Sequence, residues 1–87
     1  MNDIISGASL GPRVTAVKPT ENHELILTFT NGERRIFDAR PLLTIPAFKP
    51  LASKLFFQSV KVAYGSVEWP QGIDYCPDTL YQESVAF

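Results

Sequence analysis

Cysteine and histidine each occur once in the chain, as Cys76 and His23. A single cysteine excludes a disulfide within one chain, and it excludes a metal site built only from cysteines. Because no second histidine or cysteine stands at ligand spacing, we expect no metal site and no other cofactor, and we interpret His23 as a solvated loop residue. An enzyme that uses a thiol is not expected either, because Asp74 and Asp78 near Cys76 oppose a thiolate.

The chain also lacks an excess of either charge, since eight Lys and Arg residues stand against nine Asp and Glu residues. A surface that neutralises a phosphate backbone needs clustered cations. Arg34 and Arg35 are neighbours on a predicted strand, so their side chains point to opposite faces and cannot form one patch. We therefore expect no direct binding of nucleic acid.

Long apolar runs are absent as well. No stretch approaches the roughly 20 residues that span a bilayer, and residues 1–7 lack the basic and apolar regions of a signal peptide. We therefore expect a cytoplasmic protein that does not bind a membrane.

The composition that is present is that of an ordinary globular protein. Hydrophobic residues make up 45% of the 87-residue chain, which is enough for one core. Residues 1–12 carry two glycines and a proline with little periodicity, which is typical of a loose terminal arm. We expect a flexible arm over residues 1–12 and a single domain over residues 13–87.

Two β-rich runs joined by Asn31-Gly32 predict a hairpin. A two-residue loop places Leu27 opposite Ile36 on the core face. It also places Ile26 opposite Phe37 on the other face, as an apolar spot that needs a cover. A three-residue loop with the turn glycine in a bulge is the alternative, and we expect it to pair Leu27 with Phe37.

A second hairpin is predicted around Gly65-Ser66, with Tyr64 opposite Val67 and Val62 opposite Trp69 on an apolar face. Between the hairpins, five apolar residues recur at helical spacing and predict one short helix. The five are Phe48, Leu51, Ala52, Leu55 and Phe56.

The whole pattern predicts an α+β fold. Its antiparallel sheet has about five strands, formed by an N-terminal strand at Val14–Val17 and the two hairpins. One main helix lies between the hairpins, and short helical turns complete the fold. One of these turns is at Cys76–Glu83, with Pro77 near its start.

Several residues are candidates for binding, and each also has a structural interpretation. Aspartates beside predicted helix starts are typical caps, and Trp69 on an apolar strand face is typical of a core. Exposed tyrosines near the end of the chain favour an interface. The candidates are Ile26, Phe37, Asp38, Trp69, Asp74, Tyr75 and Tyr81.

The ordered set of these segments resembles a family of small bacterial proteins known as a domain of unknown function, number twenty-four forty-two. The resemblance covers nearly everything from Pro12 to Tyr81, including Leu25-Ile26-Leu27-Thr28-Phe29-Thr30-Asn31-Gly32-Glu33 and Val67-Glu68-Trp69-Pro70. It implies a small α+β domain with an antiparallel sheet. It also implies an antitoxin-like partner of a second small protein, because family members often look like one half of a toxin–antitoxin pair.

Two functions remain open at this point. The first is a module that binds a protein, either a small toxin-like partner or a second copy in a homodimer, through the apolar spot formed by Ile26 and Phe37. It requires no catalytic residues. The alternative is a domain that binds a small ligand or acts as an enzyme, with Asp38, Asp74 and the aromatic candidates around a cleft.

Overall fold

The computed structural model describes residues 11–87. Residues 1–10 of the expected arm lie outside this range. At Gly11 the chain is already attached to the fold, because the backbone N–H of Gly11 donates to a carboxylate oxygen of Asp78 at 3.1 Å. Within the described range, no helix has the length and apolar character needed to cross a membrane.

Four strands form an antiparallel sheet in the order β1-β2-β3-β7. Residues on β2 alternate between buried and half-buried, with Leu25, Leu27 and Phe29 all pointing to one face. That alternation is what a sheet with one face on a core requires. The strands are β1 at Val14–Pro19, β2 at Glu24–Phe29, β3 at Arg34–Asp38 and β7 at Val85–Ala86.

A second antiparallel sheet has the order β4-β5-β6. Short helices connect the two sheets, and most of them begin with a proline in the first turn, where its missing N–H is tolerated. The strands are β4 at Lys61–Ala63, β5 at Ser66–Trp69 and β6 at Ile73–Asp74. The helices are three 3-10 helices at Arg40–Thr44, Pro46–Ala52 and Pro70–Gly72, α1 at Lys54–Phe57 and α2 at Pro77–Glu83.

The core lies between the inner face of the four-stranded sheet and a second layer made of the smaller sheet and the helices. Trp69 is 1% exposed, and its indole N–H donates to the Phe57 carbonyl at 2.9 Å, so the polar atom of this large side chain is paired. The interpretation of His23 as solvated is wrong. This residue is half-buried, with its ring 4.8 Å from that of Phe57 and its Nε2 2.9 Å from the Leu51 carbonyl.

The expected α+β class and the antiparallel sheet are confirmed, but the strands divide between two sheets instead of forming one. The five expected strands are present as β1 to β5, and two strands of two residues each, β6 and β7, extend the sheets. Strands this short carry too little alternation to be recognised in a sequence.

The first hairpin has neither of the expected registers. Its loop is Thr30-Asn31-Gly32, closed by a bond from the Gly32 N–H to the Phe29 carbonyl at 2.9 Å. Gly32 has a φ of 86°, which identifies a three-residue loop with the glycine in a bulge. This loop begins one residue earlier than either alternative assumed.

The shift places Ile26 opposite Ile36 and Leu25 opposite Phe37. Phe37 is therefore a core residue at 2% exposure, and the expected pairing of Ile26 with Phe37 on the uncovered face is wrong. A shift of one residue exchanges the two faces of a strand, which is why Ile36 lies outside the core instead.

The expected helix over Phe48 to Phe56 is broken at Ser53, which has extended backbone angles. The Ser53 hydroxyl accepts the Phe56 N–H at 3.3 Å and starts α1 with a new helical phase. Leu55, which lies on the apolar stripe of the expected helix, is consequently 81% exposed, whereas Phe57 is 1% exposed.

The second hairpin turns at Tyr64-Gly65, both with positive φ, so Val62 lies opposite Val67. The expected pairs were each displaced by two residues, which leaves Val67 and Trp69 on the apolar face as expected. Tyr64 moves from that face to the tip of the turn, where it is 98% exposed.

Candidate functional site

Two of the candidate residues are part of the hydrophobic core. Phe37 and Trp69 are 2% and 1% exposed, so neither side chain is available to a partner. Their burial supports the structural interpretation of Trp69 and places Phe37 in the core as well.

Tyr75 belongs to an aromatic cluster at one end of the core. Its ring lies 5.3 Å from that of Phe37 and 5.8 Å from that of Phe48. Its hydroxyl donates to a Glu83 carboxylate oxygen at 2.8 Å. Burial of the ring, and then the bond to Glu83, raise the pKa of Tyr75 to about 12. The phenol is therefore neutral and joins α2 to the core.

A shallow cavity of about 220 Å³ lies beside this cluster. Asp74 is exposed and is the one carboxylate of its lining, which also includes Phe48 and Ile73. Among the described residues, no group of three or more His, Cys, Asp or Glu side chains is arranged to hold a metal ion.

Asp38 lies elsewhere and has a partner within its own turn. One of its carboxylate oxygens accepts from the Arg40 backbone N–H at 3.0 Å, and both oxygens contact the Arg40 guanidinium at 2.9 Å. The hydrogen bonds from that guanidinium hold the pKa of the Asp38 carboxyl below its usual value. Asp38 does not line the cavity beside Asp74.

Tyr81 is part of a polar network that the sequence analysis did not identify. Its hydroxyl donates to Glu33 at 2.7 Å, and its ring lies 4.3 Å from the guanidinium carbon of Arg35. Arg35 in turn contacts Glu33 at 2.7 Å and the Ser84 carbonyl at 2.6 Å. The bond from Tyr81, followed by that from Arg35, lowers the pKa of Glu33. The network fastens α2 and β7 to the first hairpin.

One signal in the sequence points to this network. Glu33 and Arg35 stand two apart on a strand and therefore share a face, where opposite charges attract. Their contact with Tyr81 and Ser84 joins segments that lie 48 and 49 residues apart, and no local pattern predicts that.

Cys76 is exposed and lies at the start of α2. The backbone N–H of Thr79 favours the thiolate and lowers the pKa of the Cys76 thiol, while Asp78 has a smaller, opposing effect. The expectation that the neighbouring aspartates dominate the pKa of this thiol is therefore wrong.

The face of the four-stranded sheet that points away from the core carries adjacent apolar side chains from three strands. We call it the outer face. Ile26 and Ile36 lie at its centre, half-buried between neighbouring strands and outside the set of residues that pack against the core. Val85 and Phe87 continue it and are each 65% exposed. Strand pairing assigns to this face Ala16, Lys18, Ile26, Thr28, Arg34, Ile36, Val85 and Phe87.

The edges of the same sheet are poorly suited to receiving another strand. At one edge, β1 contains Lys18 and Pro19 and has a bulge between Val14 and Ala16. At the other edge, β7 has only two residues. Lysine, proline, bulges and short edge strands all hinder pairing with a further strand. A partner of this sheet would therefore approach its outer face.

These features define a small α+β domain with a two-sheet architecture, in which one face of the larger sheet points away from the core formed by residues 11–87. A family profile matches residues 14–86, nearly the whole described range, under the description "Protein of unknown function (DUF2442)". The chain therefore belongs to this family, and the expected resemblance is confirmed. No curated protein and no solved structure matches it.

Proposed function

We propose that this protein is a protein-binding module that recognises a partner through the outer face of its four-stranded sheet. The observation that carries the proposal is the pair Ile26 and Ile36 at the centre of that face, continued by the exposed side chains of Val85 and Phe87. Contiguous exposed apolar side chains on a small protein are typical of an interaction site.

The position of the apolar residues supports binding rather than core packing. Ile26 alternates along β2 with Leu25 and Leu27, which already fill the core side of the sheet. Burying Ile26 and Ile36 beneath a partner would remove their remaining exposed area from water, which is favourable at about 25 cal/mol per Å².

An antitoxin-like role in a two-gene pair is the narrower form of this proposal. It rests on the family resemblance, and it requires that the partner be the product of a neighbouring gene. A homodimer through the same face is the competing form, and the two differ in whether the purified protein alone associates at micromolar concentration.

The test is a binding assay between the full chain and the product of the adjacent gene, with Ile36→Asp as the disrupting variant. A charge at Ile36 should abolish binding, because a buried unpaired carboxylate opposes desolvation of the interface. Leu55→Asp is the matched control, since Leu55 is apolar and 81% exposed but lies on α1, away from the outer face. Equal binding by Ile36→Asp and the unmodified chain would contradict the proposal.

A further inference from the structure

The kind of partner that fits the outer face follows from the size of its apolar patch. The centre of the patch runs across the strands from Ile26 through Ile36 to Val85, which pair in succession. Strand spacing makes that row about 10 Å long, and the next row, with Phe87, lies about 7 Å away along the strands. An α-helix with its side chains is about 10 Å wide, so a single helix covers both rows.

The charges on this face define the chemistry of such a helix. Lys18 lies beside Ile26 in the same row, and Arg34 lies next to Ile36 along β3, with its guanidinium 5.4 Å from the centre of the Phe87 ring. Within residues 11–87, neither cation forms an ion pair. The carboxylates of the face, Glu24 and Asp38, lie opposite each other at its far end, where Asp38 is paired with Arg40.

A second copy of the chain fits this face less well. Two identical faces would bring Lys18 and Arg34 of both copies into one interface. The two rows of the patch also span only about 10 by 7 Å, far below the roughly 800 Å² per partner of a stable dimer. Both arguments favour a smaller, acidic element.

We infer that the outer face receives an amphipathic helix of the partner protein, with apolar side chains over Ile26, Ile36 and Val85 and with carboxylates that contact Lys18 and Arg34. This inference rests on the proposed function and specifies its partner. Packing a helix on a sheet face gives the two-layer arrangement that sheets commonly adopt, and the protected edges of β1 and β7 leave the face as the route of approach.

The test uses two synthetic helical peptides of about 15 residues. They share one leucine stripe, and they differ in having only glutamates or only lysines beside it. Each is titrated into the full isotope-labelled chain while backbone amide shifts are recorded. We expect the glutamate peptide to bind roughly ten-fold more tightly, to shift the amides of β2, β3 and β7, and to weaken as salt screens the charges.

Charge-reversed variants make the test specific. The double variant Lys18→Glu and Arg34→Glu should reverse the preference between the two peptides. Lys49→Glu is the matched control and should not change it, because Lys49 is exposed on the Pro46–Ala52 helix. Equal affinity for the two peptides, shifts confined to other surfaces, or no binding of either peptide would overturn the inference.

The outcomes also separate this inference from the proposed function. If the native partner binds and Ile36→Asp abolishes that binding, the protein-binding function stands even where the glutamate peptide fails, and only the acidic helix is wrong. A control without peptide varies the protein concentration. If the amide shifts of the outer face then change, a second copy of the chain occupies that face and the inference is overturned.

Discussion

Ile26 and Ile36 lie directly opposite each other on β2 and β3, on the face of the sheet that points away from the core. The residue after Ile36 on the same strand, Phe37, lies opposite Leu25 in the core and is 2% exposed. Two adjacent apolar residues thus have different roles, and replacing them one at a time separates stability from binding.

We predict that Phe37→Ala lowers the free energy of unfolding by about 3–5 kcal/mol, because it leaves a cavity between the two layers. Ile36→Ala should have a smaller effect, since Ile36 is half-buried and packs outside the core. Urea unfolding of both variants measures the difference. A larger loss for Ile36→Ala would contradict the observed register.

The same register decides what a charged substitution does. Phe37→Asp should unfold the domain, because it buries a carboxylate without a partner. Ile36→Asp should leave the far-ultraviolet circular dichroism spectrum unchanged while binding is lost. Phe37→Asp is therefore not a suitable probe of the interface, although the register expected from the sequence would have made it one.

The second prediction concerns two leucines of the helical region. Leu51 is fully buried and Leu55 is 81% exposed. Leu51→Ala should lower the free energy of unfolding by about 2–5 kcal/mol, whereas Leu55→Ala should change it by no more than about 0.5 kcal/mol. Comparable losses for the two variants would show that the helix continues through Ser53 in one phase.

The hairpins illustrate how far the sequence could predict the fold. Asn31-Gly32 and Gly65-Ser66 located the two turns to within one residue, because glycine with a polar neighbour between β-rich runs is typical of a turn. The dipeptides do not specify where each loop starts. Loops that begin at Thr30 and at Tyr64 satisfy the same pattern. In the first hairpin the pairing shifts by one residue and exchanges core and surface, whereas in the second it shifts by two residues and preserves the faces.

The candidate site was predictable only in part for the same reason. Ile26 was correctly placed outside the core, but its neighbour across the strands is Ile36 and not Phe37. The contribution of Val85 and Phe87 depends on β7, which pairs with β3 through a contact between segments about fifty residues apart. Periodicity within a strand contains no information on such pairing.

The third prediction is a loss of stability in strongly alkaline solution. The pKa of Tyr75 is about 12 in the folded protein and 10.0 for an ordinary tyrosine, so the unfolded chain releases its proton first. The stabilising contribution is complete below about pH 10 and is lost as the pH rises towards about 12. Tyr75→Phe should remove this part of the decline in the free energy of unfolding, which urea unfolding between about pH 10 and pH 12 measures.

The fourth prediction concerns acid. The pKa of Glu33 is lowered, chiefly by the hydrogen bond from Tyr81. The ionised carboxylate therefore stabilises the folded protein above pH 4.5, the ordinary pKa of glutamate, and this stabilisation is lost as the pH falls through the pKa of Glu33 in the folded protein. Tyr81→Phe should move the pKa of Glu33 upwards, which side-chain carboxyl shifts in a nuclear magnetic resonance titration report directly. An unchanged Glu33 titration would contradict the prediction and assign the lowered pKa to the bonds from Arg35 and Asn31.

The last prediction uses the turn at Tyr64-Gly65. Tyr64 has a φ of 53°, a conformation that side chains with a Cβ adopt at a cost of about 1 kcal/mol, and it is 98% exposed, so almost no packing depends on it. Tyr64→Gly should therefore raise the free energy of unfolding by roughly 0.5–1 kcal/mol. A decrease would show that the tyrosine side chain makes a stabilising contact.

Gly65→Ala makes the opposite change at the same turn by adding a Cβ where φ is positive. Gly32→Ala is the reference for the cost of backbone strain alone. Both glycines have positive φ, but a Cβ at Gly32 meets nothing within 4 Å, whereas a Cβ at Gly65 would lie 3.0 Å from Cδ of Arg13. Gly32→Ala should therefore lower the free energy of unfolding by about 1 kcal/mol through backbone strain alone. Gly65→Ala should lower it further, because Arg13 must move and the Gly65 carbonyl accepts the Val14 N–H that joins the two sheets. Equal losses at the two positions would mean that the Arg13 side chain moves away freely.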